Sequence, residues 1–383
     1  MPRRPKLSRS LVAFAGALAV AVLLSGCADN RQNVFDPSGT YADKISTLTN
    51  LAGAMAIAVG LLVGIAILVI IFRFRRGKGD PDRVPTQVHG NTPAEIGWTI
   101  APAVLLVVLA VPTVSVLFEL NEDNPDAMVI EVEGQQWWWR YMYDVDGDGE
   151  TDIVTANEIV FPADTDIELR ITSNDVIHSF WVPELNGKRD AVPGLVSTWK
   201  LQAHEPGMYW GHCAEFCGLA HAVMRLRAVA LSPEDWDTWV ARNLEPAVEP
   251  TDEDTPERRG YTTFGQFCAT CHVIRGVYET ALERDPPLQA GVAPDLTHLT
   301  SRTSFAGSLL NLYLPDGSLN VGQLREWVLD APGQVPMDPD NLQGMPSFAG
   351  ALSAQQVDDI VAYLATLDGD KPILPEGVPI TGD

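Results

Sequence analysis

Residues 178–224 decide the reading of this chain: HSFWVPEL (178–185) leads to EPGMYWGHCAEFCGLAHAVM (205–224). The second string contains Cys213, Glu215, Cys217, His221 and Met224 in the order C-x-E-x-C-x-x-x-H-x-x-M, and His178 stands upstream. Two thiolates, two imidazoles and a thioether form a soft, mixed sulfur and nitrogen donor set, which suits copper far better than magnesium, calcium or manganese. A mononuclear blue-copper centre uses one Cys, two His and a weak axial Met; here a second Cys follows four residues later. Two thiolates in one loop can bridge two copper ions. Each ion would be closed by one His and one weaker donor, Met224 or the Glu215 backbone carbonyl. Other uses of the pair are a disulfide in an oxidising compartment, a structural Cys/His zinc site and copper delivery. A disulfide leaves His221 and Met224 without a role, and zinc has little use for Met.

This loop, with SNDVIHSFWVPEL (173–185) before it, resembles the CuA domain of cytochrome c oxidase subunit II. The resemblance implies a cupredoxin-like fold and a binuclear copper centre. It also implies that the Glu215 side chain holds a magnesium ion at the boundary with subunit I. Gln136-Trp137 matches the family's Q-W-x-W pattern, whose first Trp is the surface residue that takes in electrons, so Trp137 is expected in that role. One departure stands out: after Asp190-Ala-Val-Pro-Gly194 the family usually has Arg, and this chain has Leu195. His204 and His212 fall outside the pattern and are expected at the surface or behind the ligands.

Outward from the loop, residues 121–243 consist of short β-type runs split by turn signals, such as MVIEVEGQQWWWRYMY and EIVFPADTDIELRITS. Regular short strands argue for a Greek-key sandwich or barrel. Alternation should bury some of Trp137, Trp138 and Trp139 and leave at least one on the other face. Asp144-Val-Asp-Gly-Asp-Gly-Glu150 has the acids of a calcium loop, but Thr155 stands where the bidentate Glu belongs, so a hairpin turn is expected.

Upstream, residues 1–26 have a basic start, an apolar core and the ending Leu24-Ser25-Gly26-Cys27: a signal peptide whose end resembles a bacterial lipobox, with Cys27 as the lipidated first residue. A two-helix transmembrane hairpin is expected over 45–120, with spans at about 51–72 and 99–118, each long enough to cross a bilayer. Pro102 and Pro112 are tolerated in such helices. Arg73, Arg75, Arg76 and Lys78 lie between the spans, which makes the connection cytoplasmic and puts the copper loop outside. HGNTPAEIGWTIAP (89–102) resembles the start of the family's second helix, where the residue at the Glu95 position lies at the mouth of a proton pathway in the partner subunit. His89 is expected to be interfacial and inert.

Downstream, residues 244–259 (LEPAVEPTDEDTPERR) are acidic and Pro-rich and read as a disordered tether. Cys268-Ala-Thr-Cys271-His272 is a c-type haem attachment sequence, so 260–370 is expected to be an all-α class I cytochrome c domain with His272 as axial ligand. Met345, in Gly-Met-Pro-Ser-Phe, resembles the family's second axial ligand, with Met337 and His298 as rivals. Ala293-Pro294-Asp295-Leu296 resembles the loop whose Pro carbonyl fixes the axial His ring. A zinc knuckle or a redox C-x-x-C is the plainer reading of 268–271, and the adjacent His counts against both. Residues 371–383 read as a loose tail.

The chain has 383 residues, 46% hydrophobic, with mean hydropathy +0.03 and net charge −24. That combination fits membrane segments joined to an acidic external part, and it offers no basic surface for nucleic acid. All five Cys (27, 213, 217, 268, 271) belong to motifs, which leaves no disulfide framework. No nucleophile–base pair or open metal position is evident, so the chain is read as an electron-input module. As a whole it resembles subunit II of a haem–copper oxidase with a fused cytochrome c domain. The resemblance implies covalent haem c and a copper pair here, with haem a and CuB in subunit I, where oxygen is reduced and protons are moved. It further implies a subunit III, a cytochrome c or quinol–cytochrome c reductase as donor, and a bacterial cell membrane with both centres outside. A membrane-anchored carrier serving another reductase, such as one reducing nitrogen oxides, would share both motifs. Copper storage would leave the haem motif without purpose.

Overall fold

The computed structural model describes residues 31–75, 87, 89–122, 124–278, 293–341, 343–368 and 371–381. The signal peptide, Cys27, Arg76 and Lys78 lie outside the described residues.

Two long helices, α1 (Thr40–Arg73) and α2 (Thr92–Leu120), contain the expected spans and pack on each other. Their apolar side chains from Ile57 to Phe72 and from Ile96 to Phe118 are largely exposed, as a lipid-facing pair requires. At 34 residues, α1 is about 50 Å long, well beyond a hydrocarbon core of about 30 Å. Its extra turns rise into the external domain: Tyr41 and Ala42 are buried, Tyr41 Oη donates to Asp166 (2.9 Å), and His204 meets Asp43 (2.8 Å). The anchor is thereby stapled to the domain it carries. Asn91 caps α2 by accepting the Ala94 amide, and Glu95 accepts the Asn91 amide (3.0 Å), so Glu95 helps close the helix start.

The external domain is a sandwich of two five-stranded sheets. One has the order β3 (Ile153–Ala156), β2 (Trp138–Tyr143), β1 (Met128–Gln135), β5 (Ile167–Ser173), β8 (Ser197–Leu201). The other runs β4 (Glu158–Pro162), β10 (Arg225–Leu231), β9 (Gly207–Cys213), β6 (His178–Trp181), β7 (Arg189–Ala191). Alternation along β5 turns Ile167, Leu169 and Ile171 inward, each essentially unexposed. Between β2 and β3, Asp144 accepts the amides of Gly147 and Gly149, so the acidic segment forms the expected turn. Helix α3 (Pro233–Leu244), capped by Ser232, covers one end with Trp239.

The C-terminal domain packs α4 (Pro256–Phe267) on α6 (Ala354–Leu364), with α5 (Val321–Leu329) alongside. Gly260 permits this approach, because a Cβ there would strike Asp359 O. The domain is not wholly helical: a short ribbon, β11 (Ser304–Phe305) with β12 (Leu310–Asn311), projects toward the sandwich.

Two segments expected to be loose are held in place. The run between α3 and α4 has Ala247 N bonded to Arg275 O (2.9 Å), while Arg258 reaches Glu249 and the Pro250 carbonyl. Its acids Glu249 and Glu253 meet Arg258 in the first turn of α4, which composition alone does not reveal. In the tail, Ile373 and Leu374 pack against the sandwich core, and Lys371 O accepts from Arg242 (2.7 Å). The C-terminal domain is therefore docked on the sandwich. Glu158 accepts from the Thr303 amide (3.0 Å), Thr303 Oγ1 (2.5 Å) and Ser304 Oγ (2.6 Å). Arg227 donates to Thr303 Oγ1 and Asn311.

Candidate functional site

Strand β6 begins at His178, β9 ends at Cys213, and a single 3-10 turn at 221–223 returns the chain into β10. Three strand ends thus bring the predicted donors to one point. Cys213 Sγ and Cys217 Sγ are 3.8 Å apart, too far for a disulfide, which needs about 2.05 Å. His178 Nδ1 lies 3.9 Å from Cys213 Sγ, and His221 Nδ1 lies 3.6 Å from Cys217 Sγ. Met224 Sδ is 3.8 Å from Cys217 Sγ, and the Glu215 carbonyl is 3.2 Å from Cys213 Sγ. All six predicted residues supply an atom to this cluster; from Glu215 it is the backbone oxygen. Its side chain is exposed, beside the exposed Phe216.

The electrostatics fit a cationic guest. The hydrogen bond between the sulfurs drives the Cys213 thiol well below its usual value and, together with burial, holds Cys217 far above it. A second thiolate beside the first needs added positive charge, which a copper pair supplies; S and N donors with one thioether match that metal. Burial lowers the affinity of His178 for protons, but bonds to Asp175 and Cys213 outweigh it, and the net shift is upward. Asp175 accepts from His178 Nε2 (2.8 Å), which leaves Nδ1 turned to the sulfurs. Its other oxygen accepts the Gln136 amide (2.7 Å). Asp175 was not singled out in the sequence; a carboxylate three residues before a candidate ligand His is the available signal.

Trp137 is not a surface residue here. It is 7% exposed, and its Nε1 donates to Cys217 O (3.0 Å), where Gln136 Nε2 also donates (2.7 Å). All three tryptophans of the 137–139 run are buried, against expectation, because the C-terminal domain covers the face that alternation leaves open. A cavity of about 330 Å³ lies at this junction. Its walls include Trp137 and Trp138 on one side and Cys268, Cys271, His272 and Met345 on the other. His272 Nδ1 donates to Pro294 O (2.8 Å), so Nε2 keeps its lone pair. Burial lowers the pKa of His272 and keeps the ring neutral. Arg302, also in the wall, is 5% exposed, and its Nε has no hydrogen-bond partner among the described residues, as a site for a haem propionate would leave it. These residues fit a covalently attached haem. Met337 lines the cavity as well as Met345, whereas His298 does not; it lies against Asp368.

Residues expected elsewhere stay elsewhere. Glu95 and His89 belong to the membrane hairpin, and Leu195 is exposed beside Val196. His204 pairs with Asp43, and His212 packs edge-on to Trp181 without joining the sulfur cluster.

Three family profiles match the chain: cytochrome c oxidase subunit II transmembrane domain over residues 28–116, its periplasmic domain over 144–230, and cytochrome c over 257–368. The cytochrome c oxidase subunit 2 of Alkalihalophilus pseudofirmus is 32% identical over 94% of this chain and 98% of the relative. That of Bacillus sp. strain PS3 is 32% identical over 91% and 95%. The quinol oxidase subunit 2 of Bacillus subtilis is 33% identical over 63% of this chain and 74% of its own length.

Proposed function

Since this chain belongs to the cytochrome c oxidase subunit II family, we propose that it takes single electrons at a haem c held by Cys268, Cys271 and His272 and delivers them through a binuclear copper centre to subunit I of a haem–copper oxidase. There oxygen becomes water and protons are moved across a bacterial cell membrane. Membrane anchoring by two helices, a copper-site domain and a cytochrome c domain belong to the family matches. The finer assignments are the ones proposed here.

When bound, the haem and the copper pair supply reversible one-electron chemistry. The protein's part is to hold and insulate them. Cys213, Cys217, His178, His221, Met224 and the Glu215 carbonyl would hold the copper pair, with Asp175 fixing the His178 ring. Cys268, Cys271 and His272 would hold the haem, and Met345 would supply a further sulfur ligand to its iron. The observation that carries the proposal is the shared wall of the haem cavity and the copper loop. Trp137 lines the cavity and donates its indole proton to the carbonyl of Cys217. Trp137 is therefore proposed as an internal relay between the two centres, and a donor protein, either a cytochrome c or a quinol–cytochrome c reductase, delivers to the haem.

Leu195, Val196, Phe216 and Leu219 are exposed apolar residues, and the Glu215 carboxylate, next to Phe216 in the copper loop, is exposed as well. The exposed tip of this loop is proposed to meet subunit I, with Glu215 contributing to a magnesium site there. Subunit III, the Glu95 role in proton uptake and lipidation of Cys27 complete the assembly proposed from the family. A membrane-anchored carrier for a different reductase is disfavoured by the near-complete coverage of cytochrome c oxidase relatives.

The deciding measurement is metal and haem content of the purified full chain, with EPR and optical spectra. Two coppers per chain with the multi-line pattern of one shared electron, and one covalent low-spin haem, are expected. A single metal in the loop, or zinc, overturns the proposal.

A further inference from the structure

The ribbon of the haem domain ends in a four-residue turn, 306–309, whose first three residues all have left-handed backbone: Ala306 (φ +54°), Gly307 (+67°) and Ser308 (+55°). Alanine and serine adopt this region only when their surroundings impose it. Those surroundings are the copper domain. Gly307 O accepts the Arg225 amide (2.9 Å), and Ser308 Oγ donates to Asn157 O (3.2 Å). A Cβ on Gly307 would lie 3.1 Å from Trp137 O, 3.2 Å from Val223 O and 3.7 Å from Met224 Cα. The turn is therefore inserted between Trp137 and the backbone on both sides of Met224.

Met224 has two other backbone restraints: its amide reaches His221 O (3.3 Å) and its carbonyl accepts the Cys213 amide (2.9 Å). Both tie it to the copper loop itself. The tie to Gly307, through the next residue, is the one that comes from another domain. Leu309, the last residue of the turn, packs on the same core that contains Met224, Cys213 and Cys217.

We infer that the 306–309 turn of the haem domain is a positioning element of the copper centre, setting the backbone that carries Met224 and closing over Trp137. This rests on the copper reading proposed above. None of the four residues offers a metal ligand; the turn acts through Val223, Met224 and Arg225. Docking of the haem domain thus completes the geometry of the copper loop as well as bringing the donor near.

The test is Gly307→Ala in the full chain, with Gly350→Ala, where a Cβ meets open space, as control. Hydrogen exchange of peptides covering 218–231 is followed in metal-free protein, and the copper EPR and near-infrared spectra in copper-loaded protein. Gly307→Ala is expected to speed exchange in 218–231 roughly five- to tenfold, the loss of about one hydrogen bond. It should also shift the copper spectrum while leaving the haem band in place; Gly350→Ala should do neither. Native exchange and an unchanged copper spectrum in folded Gly307→Ala overturn the inference. If that variant does not fold, Ser308→Ala, which removes the bond to Asn157 without a clash, replaces it. Exchange raised roughly two- to fivefold then supports the inference, and native exchange refutes it. Should the chain prove to bind no copper, the functional proposal falls while the exchange measurement still decides whether the turn positions 218–231.

Discussion

Glu158→Ala removes the acceptor on which the docking of the two external domains turns. The Glu158 carboxylate is 4% exposed and accepts from the Thr303 amide, Thr303 Oγ1 and Ser304 Oγ, and neither of these residues has any exposure. Thr303 Oγ1 in turn accepts from Arg227, itself 1% exposed. Without the carboxylate the two hydroxyls can rotate, and Ser304 Oγ already lies 3.1 Å from Ser308 Oγ. The Thr303 amide cannot rotate, and a stranded buried donor costs about 1–3 kcal/mol. Arg227 keeps its own bonds to Thr303 Oγ1, Asn311 and the Thr381 carbonyl. The expected loss is therefore about 1–3 kcal/mol of docking free energy, or roughly one to two orders of magnitude in the docked-to-undocked ratio. Glu158→Gln keeps the shape and one acceptor and should lose less, about 1 kcal/mol. Limited proteolysis within 245–255 reports undocking, because cleavage follows the open population when reclosing is fast. Wild-type cleavage rates in Glu158→Ala would refute the assignment of this residue as the docking anchor.

Asp175→Asn should lower copper affinity about 10- to 100-fold, the usual effect of losing a partner that orients a ligand His; competition with a chelator measures it, and wild-type affinity removes Asp175 from the site. Met345→Ala should leave haem covalently attached but high-spin, with Met337→Ala low-spin; the reverse pair of spectra moves the axial role to Met337. The carboxylate of Asp368 is buried, which raises its pKa, but bonds from His298 and Arg242 outweigh this and the net shift is downward. A depressed folded-state pKa gives stabilisation that is complete above the unfolded value of about 3.9 and lost as pH falls through the folded value. Acid titration of protease resistance should therefore show an interface opening below about pH 4 that Asp368→Asn abolishes, and an acid-insensitive interface contradicts it. Because Trp137 is covered, stopped-flow mixing with a soluble reduced cytochrome should reduce haem at a rate that scales with donor concentration and copper at a rate that does not; a copper phase that scales with donor shows direct access.

The copper loop and the haem attachment site were legible because their geometry is local. Five of the six predicted copper-site residues lie within 213–224, on a strand end and one tight turn, so spacing nearly determines position. His178 comes from a neighbouring strand, and β6 pairs with β9 through Phe180–Cys213, a register visible only after folding. The docking was not legible. Glu158 and Thr303 are separated by 145 residues, neither belongs to a motif, and each looks like an ordinary strand-end or loop residue. The acidic run 244–259 was misread for a related reason. Composition measures what a segment can bury by itself, whereas its order comes from specific pairings: Arg258 folds back within the run onto Glu249 and the Pro250 carbonyl, and Arg275 of the next domain reaches the Asn243 and Glu245 carbonyls at its start. Trp138 illustrates the same limit: along β2 it lies on the face opposite Trp139, Tyr141 and Tyr143, and only the second domain makes that face interior.

The docked arrangement changes what the fusion accomplishes. A sixteen-residue flexible tether would hold the haem domain at an effective concentration of about millimolar order, so productive contact would depend on repeated encounters in varied orientations. Here the encounter is replaced by a fixed interface. A buried carboxylate and guanidinium lock the register, the 306–309 turn is inserted beside Met224, and Ile373 and Leu374 bury the far end of the chain on the sandwich. The orientational entropy of association is then lost once, during folding, and not at every transfer. The same contacts cover Trp137, so an external protein has no route to the copper loop through that indole while the domain is docked. Buried polar side chains stabilise little in themselves but discriminate strongly against misaligned packing, since each shift of register strands a donor or a charge. An interface built on Glu158 and Arg227 therefore favours one orientation over many, and one orientation is what the relay proposed for Trp137 and the Cys217 carbonyl would require.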